Sequence, residues 1–177
     1  GITDSTSFTP TTTGTSSRIV SESNLPRLRQ LSATPVGGYM ASTTASSTLV
    51  RFVDRGVGHV FEATSISSVI PKISNTTIPR VYESYWNKNL TAAVFRYMKD
   101  EAGTISNFAA EMRKVPVNAS SSPADRIPYE VKGKFLSQNV KEVAVSPKGD
   151  RIFTLEIEDG KGVGYISGFD ESKKTRV

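Results

Sequence analysis

The chain has 177 residues, of which 22 are Lys or Arg and 17 are Asp or Glu, for a formal net charge of +5. That length suffices for a core of ordinary size. It contains no cysteine and a single histidine, His59, which excludes disulfides, thiolate nucleophiles and cysteine-ligated zinc or iron–sulfur sites. No apolar run approaches the roughly 18 residues that a membrane-spanning helix requires.

Ser and Thr make up 41 residues, and 11 of them fall in the first 17 positions. Residues 1–24 carry few large apolar side chains and no period of 2 or 3.6, so they have little surface to bury against the entropy of ordering. They read as a flexible Ser/Thr-rich tether of the kind that separates an anchor from a folded module in extracytoplasmic proteins.

From Leu25 onward, short apolar runs alternate with turn residues, an all-β pattern. Residues 48–54 and 59–64 flank Arg55-Gly56-Val57-Gly58 and predict a hairpin. Residues 81–86, 90–98 and 104–112, separated by Asn87-Lys88-Asn89 and by Lys99 to Gly103, predict three consecutive antiparallel strands. After a Ser/Pro/Asn-rich loop at 115–128, residues 141–145, 151–158 and 163–169 predict another meander, with Ser146-Pro147-Lys148-Gly149-Asp150 and Asp159-Gly160-Lys161-Gly162 as its turns. Residues 173–177 read as the start of a further strand.

Val50 and Val94 occupy middle strands 44 residues apart, and Ile152 follows across the inserted loop. A unit of that length predicts four-stranded propeller blades. The expected fold is therefore all-β, built of antiparallel meander units: a partial β-propeller of about three blades over residues 25–177, with a β-sandwich as the alternative. Propellers close with about four to eight blades, so the reading expects blades beyond Val177.

The string Ser146-Pro147-Lys148-Gly149-Asp150-Arg151-Ile152-Phe153 resembles the Ser-Pro-Asp-Gly-Lys turn of TolB-type and WD-repeat-like bacterial propellers, with Lys148 in place of the usual Asp. Residues 50–63 and 73–89 are similar to uncharacterised cell-envelope propeller proteins of candidate-phylum bacteria with reduced genomes. The resemblance spans residues 25–177. It implies an anchored or secreted protein and transfers no catalytic or ligand residue.

Chemistry-bearing motifs are sparse. There is no Gly-x-Ser-x-Gly elbow to pair with His59, no calcium-loop spacing among the carboxylates, and no Walker spacing in Gly37-Gly38, Gly56-Val57-Gly58 or Gly160 to Gly164. Asn75, Asn89 and Asn118 head Asn-x-Ser/Thr sequons, at a frequency that the Ser/Thr content largely explains. Arg27, Arg29, Arg51, Arg55, Arg80, Lys88, Arg96 and Lys99 interleave with Tyr82, Tyr85, Trp86 and Phe95. In a β-meander the aromatics are core residues by default and these cations are spread out instead of forming one block, so the pattern favours no charge-directed role; an anionic envelope polymer, lipid headgroups or an acidic partner come next, ahead of nucleic acid.

The expectation is a non-enzymatic, extracytoplasmic scaffold or binding module of the cell envelope. It has no catalytic residue, cofactor or metal, and it contacts protein or an anionic envelope polymer through turns at Arg55, His59, Asn87, Lys88, Asn89, Asp100 and Glu101. Membrane association would come only through a segment outside this chain. The alternatives are an accessory propeller for a hydrolase domain lying outside this chain, and a basic nucleic-acid-binding module.

Overall fold

In the computed structural model, residues 28–116 and 126–177 are described; the expected tether at 1–24 and the sequon at Asn118 lie outside them. Eleven strands and no helix occur among the described residues. They form three antiparallel sheets, each taken up in chain order.

The first sheet holds β1 (Val36–Thr43), β2 (Thr48–Asp54) and β3 (Val60–Thr64). The second holds β4 (Val81–Trp86), β5 (Ala92–Met98), β6 (Ile105–Lys114) and β7 (Tyr129–Phe135). The third holds β8 (Val140–Val145), β9 (Ile152–Glu158), β10 (Lys161–Ser167) and the two-residue β11 (Thr175–Arg176). The all-β meander reading holds, and Val50, Val94 and Ile152 each sit on the second strand of their sheet. Three sheets with two seams between them differ from the two-layer sandwich that was the alternative.

The hydrophobic pattern accounts for the stacking. Five consecutive residues of β5, Ala92 to Arg96 being the buried set, are covered on both faces. Such a run marks a strand sandwiched between neighbouring layers, since alternate side chains leave on opposite sides. Ala93 and Phe95 join Val53, Val60, Val81 and Trp86 in a cluster between the first and second sheets, where Trp86 and Phe95 meet edge to face at 5.8 Å. Ala92 and Val94 join Val140, Val143, Ile152 and Phe169 between the second and third.

Strands from different sheets approach most closely at β1 with β4 and at β4 with β8. The first strands of the three sheets thus lie together, an arrangement consistent with a partial propeller; none of the three sheets closes into a barrel. Small residues permit the closest approach: a Cβ on Gly37 would stand 2.7 Å from the Val81 carbonyl oxygen. A strap at residues 72–74 stitches two sheet edges, because the Ile73 N–H donates to Val60 O and the Tyr129 N–H donates to Ile73 O.

Two strands were not anticipated, β1 and β7. β1 opens on Gly37-Gly38 and presents small polar residues, and β7 exposes four residues in succession, Lys132 to Phe135. β1 carries no apolar alternation, whereas β7 does, with Tyr129, Val131 and Phe135 alternating with Glu130, Lys132 and Lys134. The expected strand at 163–169 begins two residues earlier, because Asp159-Gly160 alone turns the chain, with φ of 48° and 75°.

Candidate functional site

An antiparallel meander sends its connections alternately to opposite ends of the sheet, and this divides the seven expected binding residues into two groups. The β2–β3 turn packs on the segment that leads into β4: the Ile78 N–H donates to Val57 O and the Arg80 N–H to Gly56 O. The β5–β6 turn lies at that same end, since the Met98 N–H donates to Arg80 O. Arg55, His59, Asp100 and Glu101 therefore lie at the end where β4 begins. Asn87, Lys88 and Asn89 lie where it finishes.

At the first end the polar atoms serve their own turns. Asp54 Oδ1 accepts the Gly56 and Val57 N–H groups, each at 2.9 Å, and Oδ2 accepts the Thr34 hydroxyl at 2.7 Å. Partial burial pushes this carboxyl upward, but those hydrogen bonds and His59 outweigh it and hold the group below the usual range. His59 is itself held below its ordinary value, by partial burial first and by Lys72 second, with Asp54 opposing. An imidazole that is neutral at pH 7 beside a carboxylate engaged elsewhere lacks the orienting partner a catalytic triad needs. Asp100 is likewise lowered by the Thr104 backbone N–H that it caps at 3.0 Å.

At the other end the β4–β5 turn is rigidly built. Asn87 Oδ1 accepts the Thr91 and Ala92 N–H groups at 2.8 and 3.0 Å, while its Nδ2 donates to the Thr91 hydroxyl. Leu90 completes the turn at φ 60° with its side chain buried. Gly149 in the β8–β9 turn abuts it so closely that a Cβ would lie 2.4 Å from the Lys88 nitrogen.

Between these turns opens a cleft of about 600 Å³, bounded by Asn87, Asn89, Thr91, Lys148, Asp150 and Asp170. A second hollow of about 410 Å³, lined by Arg113, Lys132 and Lys134, shares Glu111, Phe169 and Asp170 with it. The two make one groove along the seam between the second and third sheets. Three of its four cations are matched locally: Arg113 with Glu111 at 3.3 Å, Lys132 with Glu130 at 3.2 Å and Lys134 with Glu171 at 3.3 Å; Lys148 is the fourth.

Glycosidase-type chemistry needs one carboxyl kept protonated near neutral pH. The groove's aspartates go the other way: the Ser146 hydroxyl lowers Asp150 against slight desolvation, and the Ser172 hydroxyl and N–H lower Asp170. Both are held as carboxylates, each with its Oδ1 accepting a hydrogen bond, from the Ser146 hydroxyl and the Ser172 N–H. Among the described residues, no group of three or more His, Asp or Glu gathers as a metal site.

Two arginines of the basic pattern are not surface groups at all. Arg51 on β2 is buried, pairs with Glu62 at 2.8 Å, donates to Leu90 O at 2.5 Å and stacks over the Tyr129 ring at 4.5 Å. Arg96 on β5 is buried, pairs with Glu83 at 3.0 Å and Glu142 at 3.1 Å, donates to Lys141 O and lies over the Tyr82 ring. Each cation crosses from one sheet into the next. Together with the burial of Trp86 and Phe95, this removes half of the aromatic set and two cations from any surface a nucleic acid might have contacted.

No protein-family model, no curated protein and no solved structure matches the chain.

Proposed function

We propose that this chain is a non-catalytic, propeller-type binding module of the cell envelope, and that its ligand is a protein segment laid along the groove between the second and third sheets. The observation that carries the reading is the charge pattern of that groove. Lys132, Lys134 and Arg113 each hold a carboxylate within 3.3 Å, so the surface presents alternating sign instead of a positive field. Such a surface suits a polypeptide of mixed charge and offers little to a polyanion, whose binding scales with the number of unmatched cations.

Rigidity supports the same reading. The groove's rim is made of short turns pinned by Asn87, Ser146 and Asp170, and a rim of that kind holds its shape before a ligand arrives. The extracytoplasmic setting rests on the TolB-like turn at Ser146 to Phe153, the Ser/Thr-rich first 24 residues and the lack of cysteine.

The test is amide-shift mapping on the isotopically labelled chain. Extended mixed-charge peptides selected from a library are titrated in one arm, and polyglycerol phosphate, a model envelope polyanion, in the other. Peptide-induced shifts at Asn89, Thr91 and Asp170, abolished by the double change Asp170→Lys and Lys134→Glu, are expected. Groove shifts from polyglycerol phosphate alone, falling steeply with salt, would overturn the protein-ligand reading.

A further inference from the structure

β7 is the last strand of the second sheet, and only half of its outer edge is occupied. In an antiparallel ladder, residues that exchange hydrogen bonds with a neighbouring strand alternate with residues whose N–H and C=O point away from it. The Met112 N–H donates to Thr91 O, on the side of β5, so Met112 and its partner Val131 are of the second kind. Tyr129, Val131, Gly133 and Phe135 therefore turn their backbone groups away from β6.

The first two of these are met by the strap. The Tyr129 N–H donates to Ile73 O at 3.1 Å and the Val131 N–H to the Thr76 hydroxyl at 3.3 Å. After Thr76 the strap leaves the edge, since the Ile78 N–H donates to Val57 O. Among the described residues nothing pairs with the outward groups of Gly133 and Phe135, and residues 132–135 are all exposed.

This open half of the edge adjoins an aromatic shelf. Phe135 is 65% exposed, and its ring lies 5.1 Å from Phe108 and 6.3 Å from Tyr97. Phe108 and Tyr97 pack on the core between the first and second sheets, so the shelf faces away from the groove, which Lys132 and Lys134 line on the opposite face. A hollow of about 210 Å³ opens between Tyr97, Ser106, Phe135 and Ser137. That is below the roughly 300–1,000 Å³ of small-molecule sites and of the size that a single side chain occupies.

We propose that Gly133 to Phe135 is a strand-addition site, where an extended segment of another protein pairs antiparallel as a fifth strand of the second sheet. The two residues that face Gly133 and Phe135 exchange backbone hydrogen bonds with them and lay their side chains on the shelf; the residue between them faces Lys134 on the polar side. The edge thus selects an apolar, polar, apolar sequence whose middle residue is acidic or uncharged. The strap already demonstrates that extended chain seats here, with Ser74 bridging Tyr129. A second copy of β7 is a poor occupant. The antiparallel register that joins Gly133 of each copy to Phe135 of the other sets Lys134 directly opposite Lys134, and such a like-charge pair disfavours the ladder.

Hydrogen exchange and amide-shift mapping on the full 177-residue chain test the site, with capped pentapeptides Thr-Val-X-Phe-Thr in which X is Glu, Ser or Lys. In the free chain the Gly133 and Phe135 amides exchange rapidly, while those of Lys132 and Lys134, paired with Glu111 and Ala109, are protected. The Glu and Ser peptides slow exchange at Gly133 and Phe135 and shift those amides, and the Lys peptide binds more weakly. N-methylation of the peptide's Val or Phe, whose N–H groups meet β7, weakens binding at least about tenfold; N-methylation of the middle residue, whose N–H faces away, leaves it nearly unchanged. Phe135→Ala keeps the backbone groups, removes the shelf and also weakens binding. No binding at millimolar peptide, any other pattern of N-methyl sensitivity, or shifts confined to Asn89, Thr91 and Asp170 overturns the strand-addition site. The last outcome is the signature of the groove and leaves the function proposed for it standing.

Discussion

Replacing Arg96 by Met measures how strongly one cation fastens the second sheet to the third. Methionine keeps much of the side chain's apolar volume, so the change removes chiefly the guanidinium. A hydrogen bond to a charged group contributes about 1.5–3 kcal/mol, and the bond to Lys141 O is of that kind. Glu83 and Glu142 are 41% and 67% exposed, so each pair adds only about 0.5 kcal/mol. Contact with the Tyr82 ring adds about 1 kcal/mol, and solvation of the freed carboxylates returns part of the total. The expected loss is about 2–3 kcal/mol, a fall of about 5–10 °C in Tm for a chain of this size. The assay is urea unfolding, with a lowered midpoint and an unchanged slope. Glu142→Gln alone is expected to cost under about 0.5 kcal/mol. Glu83→Gln with Glu142→Gln together costs more than the sum of the singles, because Arg96 is then a buried charge without a counter-ion. If Arg96→Met costs no more than Glu142→Gln, the guanidinium is not what joins the sheets.

Three further outcomes are expected. Gly133→Ala places a Cβ 2.0 Å from Ala109 O and 2.6 Å from the Ala110 Cα, so β7 separates from β6 at a cost of about 3 kcal/mol or more; Gly103→Ala, at φ +83° but with nothing within 4 Å, costs only about 1 kcal/mol of backbone strain, and thermal melts of the two compare steric overlap with φ alone. Ile152→Ala, at 1% exposure in the seam between the second and third sheets, costs about 2–5 kcal/mol in the same melts. Acidification from pH 7.5 to 5.5 lowers the urea midpoint: the folded His59 binds its proton below the ordinary 6.5, so the unfolded chain takes up that proton first and stability falls as pH drops through the window; His59→Gln flattens the slope, and an unchanged slope refutes the assignment.

The hairpins were legible because their signals are local. Thr48 to Asp54 and Arg151 to Glu158 combine β-branched or apolar residues with Gly-bearing turns, and both pair where that grammar puts them. β7 was missed although its pattern is in the sequence, where Tyr129, Val131 and Phe135 alternate with Glu130, Lys132 and Lys134; what the sequence leaves open is its partner, β6, and the Ile73 strap that binds its edge. Asn87 to Asn89 were found as a turn, but the groove they border needs Asp150 and Asp170, which lie more than 60 residues away. Arg51 and Arg96 passed as surface charge because a charged side chain is rarely fully buried. Their one local signal was available: each interrupts an apolar strand, between Val50 and Phe52 and between Phe95 and Tyr97, at a position that points into a seam.

The order of strands within the sheets also sets how the chain acquires its structure. Every ladder joins strands that are consecutive in sequence, so each sheet completes itself from a short window of chain, and hairpin closure of this sort takes about 1–10 μs. The first sheet can be finished while the third is still unsynthesised. Long loop closure enters only when sheet meets sheet, which makes the seating of Arg51 on Leu90 and of Arg96 on Lys141 late events whose loss speeds unfolding far more than it slows folding.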